Sequence, residues 1–110
     1  MSASGASSHE PAGVHLRLYV TGRTPAALEA IAAARDLEHQ LVKDFGAARI
    51  DVIDVLDDPG AALRDGIYAT PTIMRLKPGP VRRIFGRLTA GLSLRDELQI
   101  DDVNSSAVAG

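Results

Sequence analysis

Cysteine is absent from this 110-residue sequence. With it go disulfide staples, thiolate nucleophiles, CxxC redox chemistry and cysteine-ligated zinc or iron–sulfur sites. Tryptophan is absent too, and two Phe and two Tyr are the whole aromatic complement, too few to stack single-stranded nucleic acid. A formal charge of −2 adds no general attraction to phosphate, so no nucleic-acid partner is expected. No run approaches the ~18 apolar residues of a membrane span. The opening Met-Ser-Ala-Ser-Gly-Ala-Ser-Ser has neither the basic start nor the apolar stretch of a secretory signal. The expectation is a cytoplasmic chain with no membrane role. Gly-rich phosphate loops, Ser/His/Asp arrangements, HExxH and EF-hand spacings are missing as well, so no catalytic residue, metal or cofactor is expected and the chain reads as a non-enzyme.

What remains is an ordinary globular composition, 45% hydrophobic and 24% charged, in a length that suits one domain. Residues 1–12 and 101–110 are small and polar and read as disordered tails around a domain at 13–100. Val14, Leu16, Leu18 and Val20 alternate with His15, Arg17, Tyr19 and Thr21, the period of a strand with one face in the core. Gly22 and Arg23 turn the chain, Thr24 is placed to cap a helix, and Pro25 suits its first position. Ala27, Ala30, Ile31, Ala34, Leu37, Leu41 and Phe45 then recur every three or four residues up to Gly46, a natural stop. The run Ile50–Leu56 is nearly all apolar and predicts a parallel strand covered on both faces. Asp57-Asp58-Pro59 opens a short helix over 60–65. Thr72–Leu76 and Val81–Phe85 flank Lys77-Pro78-Gly79-Pro80 as a hairpin. Ser93 is placed to cap a last helix in which Leu94 and Leu98 lie four apart.

A βαβ unit, a short helix, a ββ hairpin and a final helix is the order of a thioredoxin-like α/β fold. Ala69-Thr70-Pro71-Thr72 stands just before the hairpin, where thioredoxin-like proteins place a cis-proline, which makes Pro71 the structural cis-Pro candidate. Only an X-Pro bond adopts cis at a cost as low as roughly 0.5–1 kcal/mol. The helix-start loop that carries CxxC in redox thioredoxins reads Gly22-Arg23-Thr24-Pro25-Ala26 here. The scaffold is retained without its electron chemistry, leaving Gly22, Thr24 and Pro25 as a surface.

Four strings carry a more specific likeness: Leu16-Arg17-Leu18-Tyr19-Val20-Thr21-Gly22-Arg23-Thr24-Pro25, Ile53-Asp54-Val55-Leu56-Asp57-Asp58-Pro59, Asp65-Gly66-Ile67-Tyr68-Ala69-Thr70-Pro71-Thr72 and Pro80-Val81-Arg82-Arg83-Ile84-Phe85-Gly86. Together they resemble the KaiB family, the small clock-associated partners of KaiC. The resemblance implies a regulatory protein that binds a KaiC-type ATPase/autokinase hexamer and modulates its phosphorylation and output in a circadian, timer or stress system. It also implies homo-oligomers, dimer or tetramer, and metamorphism between a thioredoxin-like fold and a tetramer-forming fold rearranged in the C-terminal half. The alternative is a stand-alone thioredoxin-like adaptor of two-component signalling, with a histidine kinase or another clock or signalling protein as partner. Where the family reads Gly-Asp-Leu-Ser, this chain has Gly86-Arg87-Leu88-Thr89.

Arg75, Lys77, Arg82, Arg83 and Arg87 place five of the twelve basic residues on or near the hairpin. They suit a docking patch for an acidic partner, with Arg75, Lys77, Arg82 and Arg83 as the partner-binding candidates. Solvated charges guarding an edge strand are the plain alternative. Arg82 and Arg83 are consecutive and must point to opposite faces. Asp51, Asp54, Asp57, Asp58 and Asp65 lack metal-ligand spacing, and His9, His15 and His39 read as surface residues.

Overall fold

The computed structural model describes residues 13–86 and 92–100. Both predicted tails, and Arg87, lie outside the described residues. The elements run β1 (Val14–Val20), α1 (Pro25–Phe45), β2 (Ala48–Asp54), α2 (Pro59–Asp65), β3 (Thr72–Lys77), β4 (Arg82–Phe85) and α3 (Leu92–Glu97). Helix α1 begins and ends for local reasons. Thr24 Oγ1 accepts from the Ala27 amide at 3.1 Å, and Pro25 opens the first turn, where no amide is needed. Gly46 closes the helix at φ 83°, a left-handed conformation that a side chain would strain, with its amide on Val42 O. Helix α2 repeats the scheme, with Asp58 Oδ1 accepting from the Ala61 amide at 3.1 Å and Pro59 leading.

The sheet has the order β2-β1-β3-β4. Strands β1 and β2 are parallel, as the intervening α1 requires, while β3 runs antiparallel to both β1 and β4. Val14, Leu16, Leu18 and Val20 face α1, where Ala27, Ala30, Ala33, Ala34, Leu37 and Leu41 meet them, joined by Ile50, Ile73, Leu94, Leu98 and Ile100. Full burial of each Leu, Ile or Val here is worth about 1.5–3 kcal/mol, so this face dominates stability. Helix α3 is tied to the end of α1 by Arg95, whose Nη1 lies 2.6 Å from Asp44 Oδ2 and whose guanidinium sits over the Phe45 ring. Among the described residues the opposite face carries α2 and a smaller cluster of Tyr19, Ala61, Ala62 and Met74.

Three expectations change. The apolar run at β2 is a parallel strand packed on both faces, Ile50 and Val52 against the α1-side cluster and Ile53 against the α2-side one, but the cover is incomplete: β2 is an edge strand, begins two residues earlier at Ala48, and only Ile50 in it is buried. Tyr19 does not share a solvated face, since α2 covers it completely. Ser93 lies inside α3, which starts at Leu92, rather than at its cap.

Arg75 departs further from its predicted surface role. Its residue is 2% exposed, because its position on β3 puts it on the same side as Ile73, facing α3. There Nη1 donates to Leu98 O at 2.6 Å and Gln99 O at 3.0 Å, and Nη2 to Pro80 O at 2.9 Å. One side chain thereby joins the hairpin turn to the end of α3. Burial, with Arg82 adding repulsion, lowers its pKa from the ordinary arginine value. Arg75 is an internal clamp and not a docking residue.

Candidate functional site

Three of the expected surface positions converge at one end of the sheet. Gly22 turns the chain after β1 at φ 60°, a conformation costly for other residues, and its amide donates to Asp54 Oδ1 at 3.0 Å. That same carboxylate oxygen accepts from the Leu56 amide at 3.0 Å, and these two backbone donors hold the Asp54 carboxyl below its usual pKa. Thr21 Oγ1 and Thr70 Oγ1 lie 2.6 Å apart, joining the helix-start loop to the segment before β3. The Thr70–Pro71 peptide is cis, as are Lys77–Pro78 and Gly79–Pro80 in the hairpin turn. Pro71 O accepts from the Gly86 amide at 3.2 Å. At this end a redox thioredoxin would hold its thiols. Here the Thr24 hydroxyl is engaged as the α1 cap, and no His, Asp or Glu among the described residues hydrogen-bonds to it.

The α2 face is polar where the α1 face is apolar. Asp65, at the end of α2, accepts through Oδ2 from Tyr19 Oη at 2.5 Å and from Arg17 Nη1 at 2.9 Å. Tyr19 Oη also lies 3.1 Å from Ala61 O. Burial pushes the Tyr19 hydroxyl up to about 12, and its bond to Asp65 acts in the same direction. For Asp65, burial alone would raise the pKa. The donors Tyr19 and Arg17, with the charges of Arg17 and Arg83, outweigh it and hold the carboxyl below the usual range. Nearer the β2 edge, His15 Nε2 lies 2.7 Å from Asp51 Oδ2, and Arg49 Nε lies 3.3 Å from Asp51 Oδ1. The plain surface role expected of His15 therefore becomes membership of a charged cluster. Among the described residues no three His, Asp or Glu side chains converge as a metal site would require.

Of the basic candidates, Lys77, Arg82 and Arg83 are exposed. The last two diverge as strand geometry demands. Arg82 Nε donates to Glu97 O at 2.7 Å on the α3 side, and Arg83 Nε to Asp65 O at 3.0 Å on the α2 side. Beside Arg83 runs a groove of about 560 Å³ lined by Gly66, Ile67, Tyr68, Ala69, Thr72 and Phe85. Tyr68 is 97% and Phe85 72% exposed. Neither aromatic was singled out by sequence reasoning. Phe85 could have been, because it shares its strand face with Arg83 and not with the core residue Ile84.

The chain has likenesses to known proteins in fold and in sequence. In fold, the chain is similar to the N-terminal domain of Synechococcus elongatus SasA, with a TM-score of 0.61 at 18% identity over 89% of this chain and 86% of that one. It is similar also to a chloroplastic thioredoxin z, with a TM-score of 0.61 at 21% identity over 92% and 88%. These likenesses make the fold thioredoxin-like. In sequence, a circadian clock oscillator protein KaiB of Synechococcus sp. (strain CC9311) is 43% identical over 98 residues, 83% of this chain and 81% of the relative. Its counterpart in strain RCC307 is 40% identical over 100 residues, 84% and 88% of the two chains. The family model for the KaiB domain matches residues 17–100, from the middle of β1 to the last core residue beyond α3, and with that span matched this chain belongs to the KaiB family.

Proposed function

We propose that this chain is a non-catalytic clock regulator that binds a KaiC-type ATPase ring and modulates its phosphorylation and signalling output. The observation that carries this reading is the KaiB-domain match across residues 17–100 on a thioredoxin-like scaffold without a thiol. A thioredoxin-like scaffold without a thiol keeps a shaped surface, which suits it to engaging a partner's. Lys77, Arg82 and Arg83 are its exposed cations on the hairpin, suited to steer it toward an acidic surface. Gly22, Thr24, Pro25 and Pro71 shape the adjoining end of the sheet.

The test is a pull-down with purified chain against the KaiC-type ATPases of its own host, with ATP or ADP present, followed by the ring's phosphorylation time course. Retention of a ring and a changed time course are expected. Failure to retain any ring, or turnover in an insulin-reduction or glutathione-conjugation assay that Thr24→Ala abolishes, would refute the proposal.

A further inference from the structure

We infer that the groove between the 66–69 loop and β4 is a docking site for an extended peptide segment in which a carboxylate and an apolar side chain lie two residues apart. Which protein supplies the segment rests on the ring-binding reading; that the groove takes one does not.

The placement of the aromatics leads there. Of the four, Tyr19 is fully buried and Phe45 packs against the core under Arg95. The other two, Tyr68 and Phe85, both stand on the rim of this one groove, largely in water. Large aromatics left exposed together beside a cation are what protein interfaces enrich. A small molecule would be left uncovered, since small-molecule sites enclose roughly 70–90% of their ligand and these rims are 97% and 72% open. A partner that brings its own surface can cover them.

Charge and spacing narrow the partner. Arg83 spans from β4 to Asp65 O and is part of the groove lining. Only its Nε is engaged, and among the described residues no carboxylate lies within ion-pair distance of its guanidinium. The carboxylate of Asp65, on which the Arg83 charge acts, has its Oδ2 already taken by Tyr19 and Arg17. Free guanidinium N–H groups in a groove lining suit an incoming carboxylate. Arg83 and Phe85 alternate on one face of β4, about 7 Å apart at strand spacing. An extended partner has the same two-residue spacing, so an acid at Arg83 brings the residue two positions on between Phe85 and Tyr68. Strand β4 pairs only with β3, which leaves its outer side without a strand partner among the described residues.

The experiment uses the full chain on an array of blocked nonamer peptides with Asp-Xaa-Leu cores and matched Lys-Xaa-Leu cores, the best binder then being titrated in solution. Asp-Xaa-Leu peptides should bind at least tenfold tighter than their lysine counterparts. Arg83→Glu, Phe85→Ala and Tyr68→Ala should each cost at least tenfold, Arg83→Lys should retain most binding, and Leu56→Ala, a 68% exposed residue outside the groove, should change nothing. Because these side chains are exposed, the variants should keep the wild-type circular dichroism. No retained peptide, no preference for acid over lysine, or groove variants that bind like wild type would overturn the inference, as would self-association that Phe85→Ala abolishes while the array stays blank. Peptide binding without ring binding removes the ring reading alone; ring binding with a blank array and silent groove variants removes the groove alone.

Discussion

The two faces of the sheet are built on different terms. Among the described residues, fifteen buried ones form one apolar cluster on the α1 and α3 side, closed at the C-terminal end by the Arg75 clamp. On the α2 side four of the described residues, Tyr19 among them, are buried in the corresponding cluster, and beside it Arg17, Asp65, His15, Asp51 and Arg49 are in hydrogen-bonded or ion-paired contact. At its β4 edge the first face still presents the exposed Arg82. The second has unspent polar capacity, an open groove and two uncovered aromatics. The docking proposal places recognition on this second face, opposite the one that dominates stability.

If that division holds, Leu18→Ala should be the most damaging single change. Leu18 is fully buried in the centre of the larger cluster, and its truncation should cost about 2–5 kcal/mol, read as a fall in the urea midpoint. Arg75→Met comes next, at about 2–3 kcal/mol, because carbonyls of Leu98 and Gln99 lose charge-assisted donors in a buried place. Hydrogen exchange should then quicken in residues 92–100 before it does in α1. Equal loosening of α1 would break the assignment of Arg75 to the C-terminal end.

Tyr19→Phe probes the other face and should cost about 1–2 kcal/mol, since it removes a donor from Asp65 while keeping the ring. Its pH signature is more specific than its size. Tyr19 titrates higher folded than unfolded, so its contribution is complete below about pH 10 and is lost as pH rises through the folded value of about 12. Asp65 titrates lower folded than unfolded. Its contribution is present above about pH 4 and is lost as pH falls through the depressed folded value. Tyr19→Phe should abolish the alkaline loss and weaken the acid one in a urea-midpoint profile against pH. The smallest stability effect belongs to Arg83→Glu, within about 0.5 kcal/mol as for other exposed sites, together with a large loss of ring or peptide binding.

Local chemistry was legible in the sequence wherever neighbouring residues decide it. Thr24, Pro25 and Gly46 bound α1, Asp58 and Pro59 open α2, and the alternation in β1 gave the core side correctly. What was not legible depends on partners distant in the chain. Tyr19 is covered because Ala61 and Ala62, more than forty residues on, are small enough for α2 to lie against the sheet. Arg75 looked like a surface cation because its acceptors at Leu98 and Gln99 are more than twenty residues away, although its alternation with Ile73 already placed it on the core side. The apolar run in β2 predicted cover on both faces, and Ile50 and Ile53 do pack against the two clusters, but β3 takes the free side of β1 and leaves β2 at the edge, where only Ile50 is buried. At the candidate site the exposure of Lys77, Arg82 and Arg83 was legible and the groove was not, since Tyr68 and Phe85 lie seventeen residues apart and meet only through the register of β3 with β4, which pairs Thr72 with Phe85.

The division between the faces is tested most directly by hydrogen–deuterium exchange on the chain alone and bound to its KaiC-type ring. New protection is expected in peptides covering 66–72 and 82–86, with α1 unchanged at 27–41. Protection confined to α1 or to the β2 edge at 48–54, with 66–72 and 82–86 exchanging as in the free chain, would contradict it.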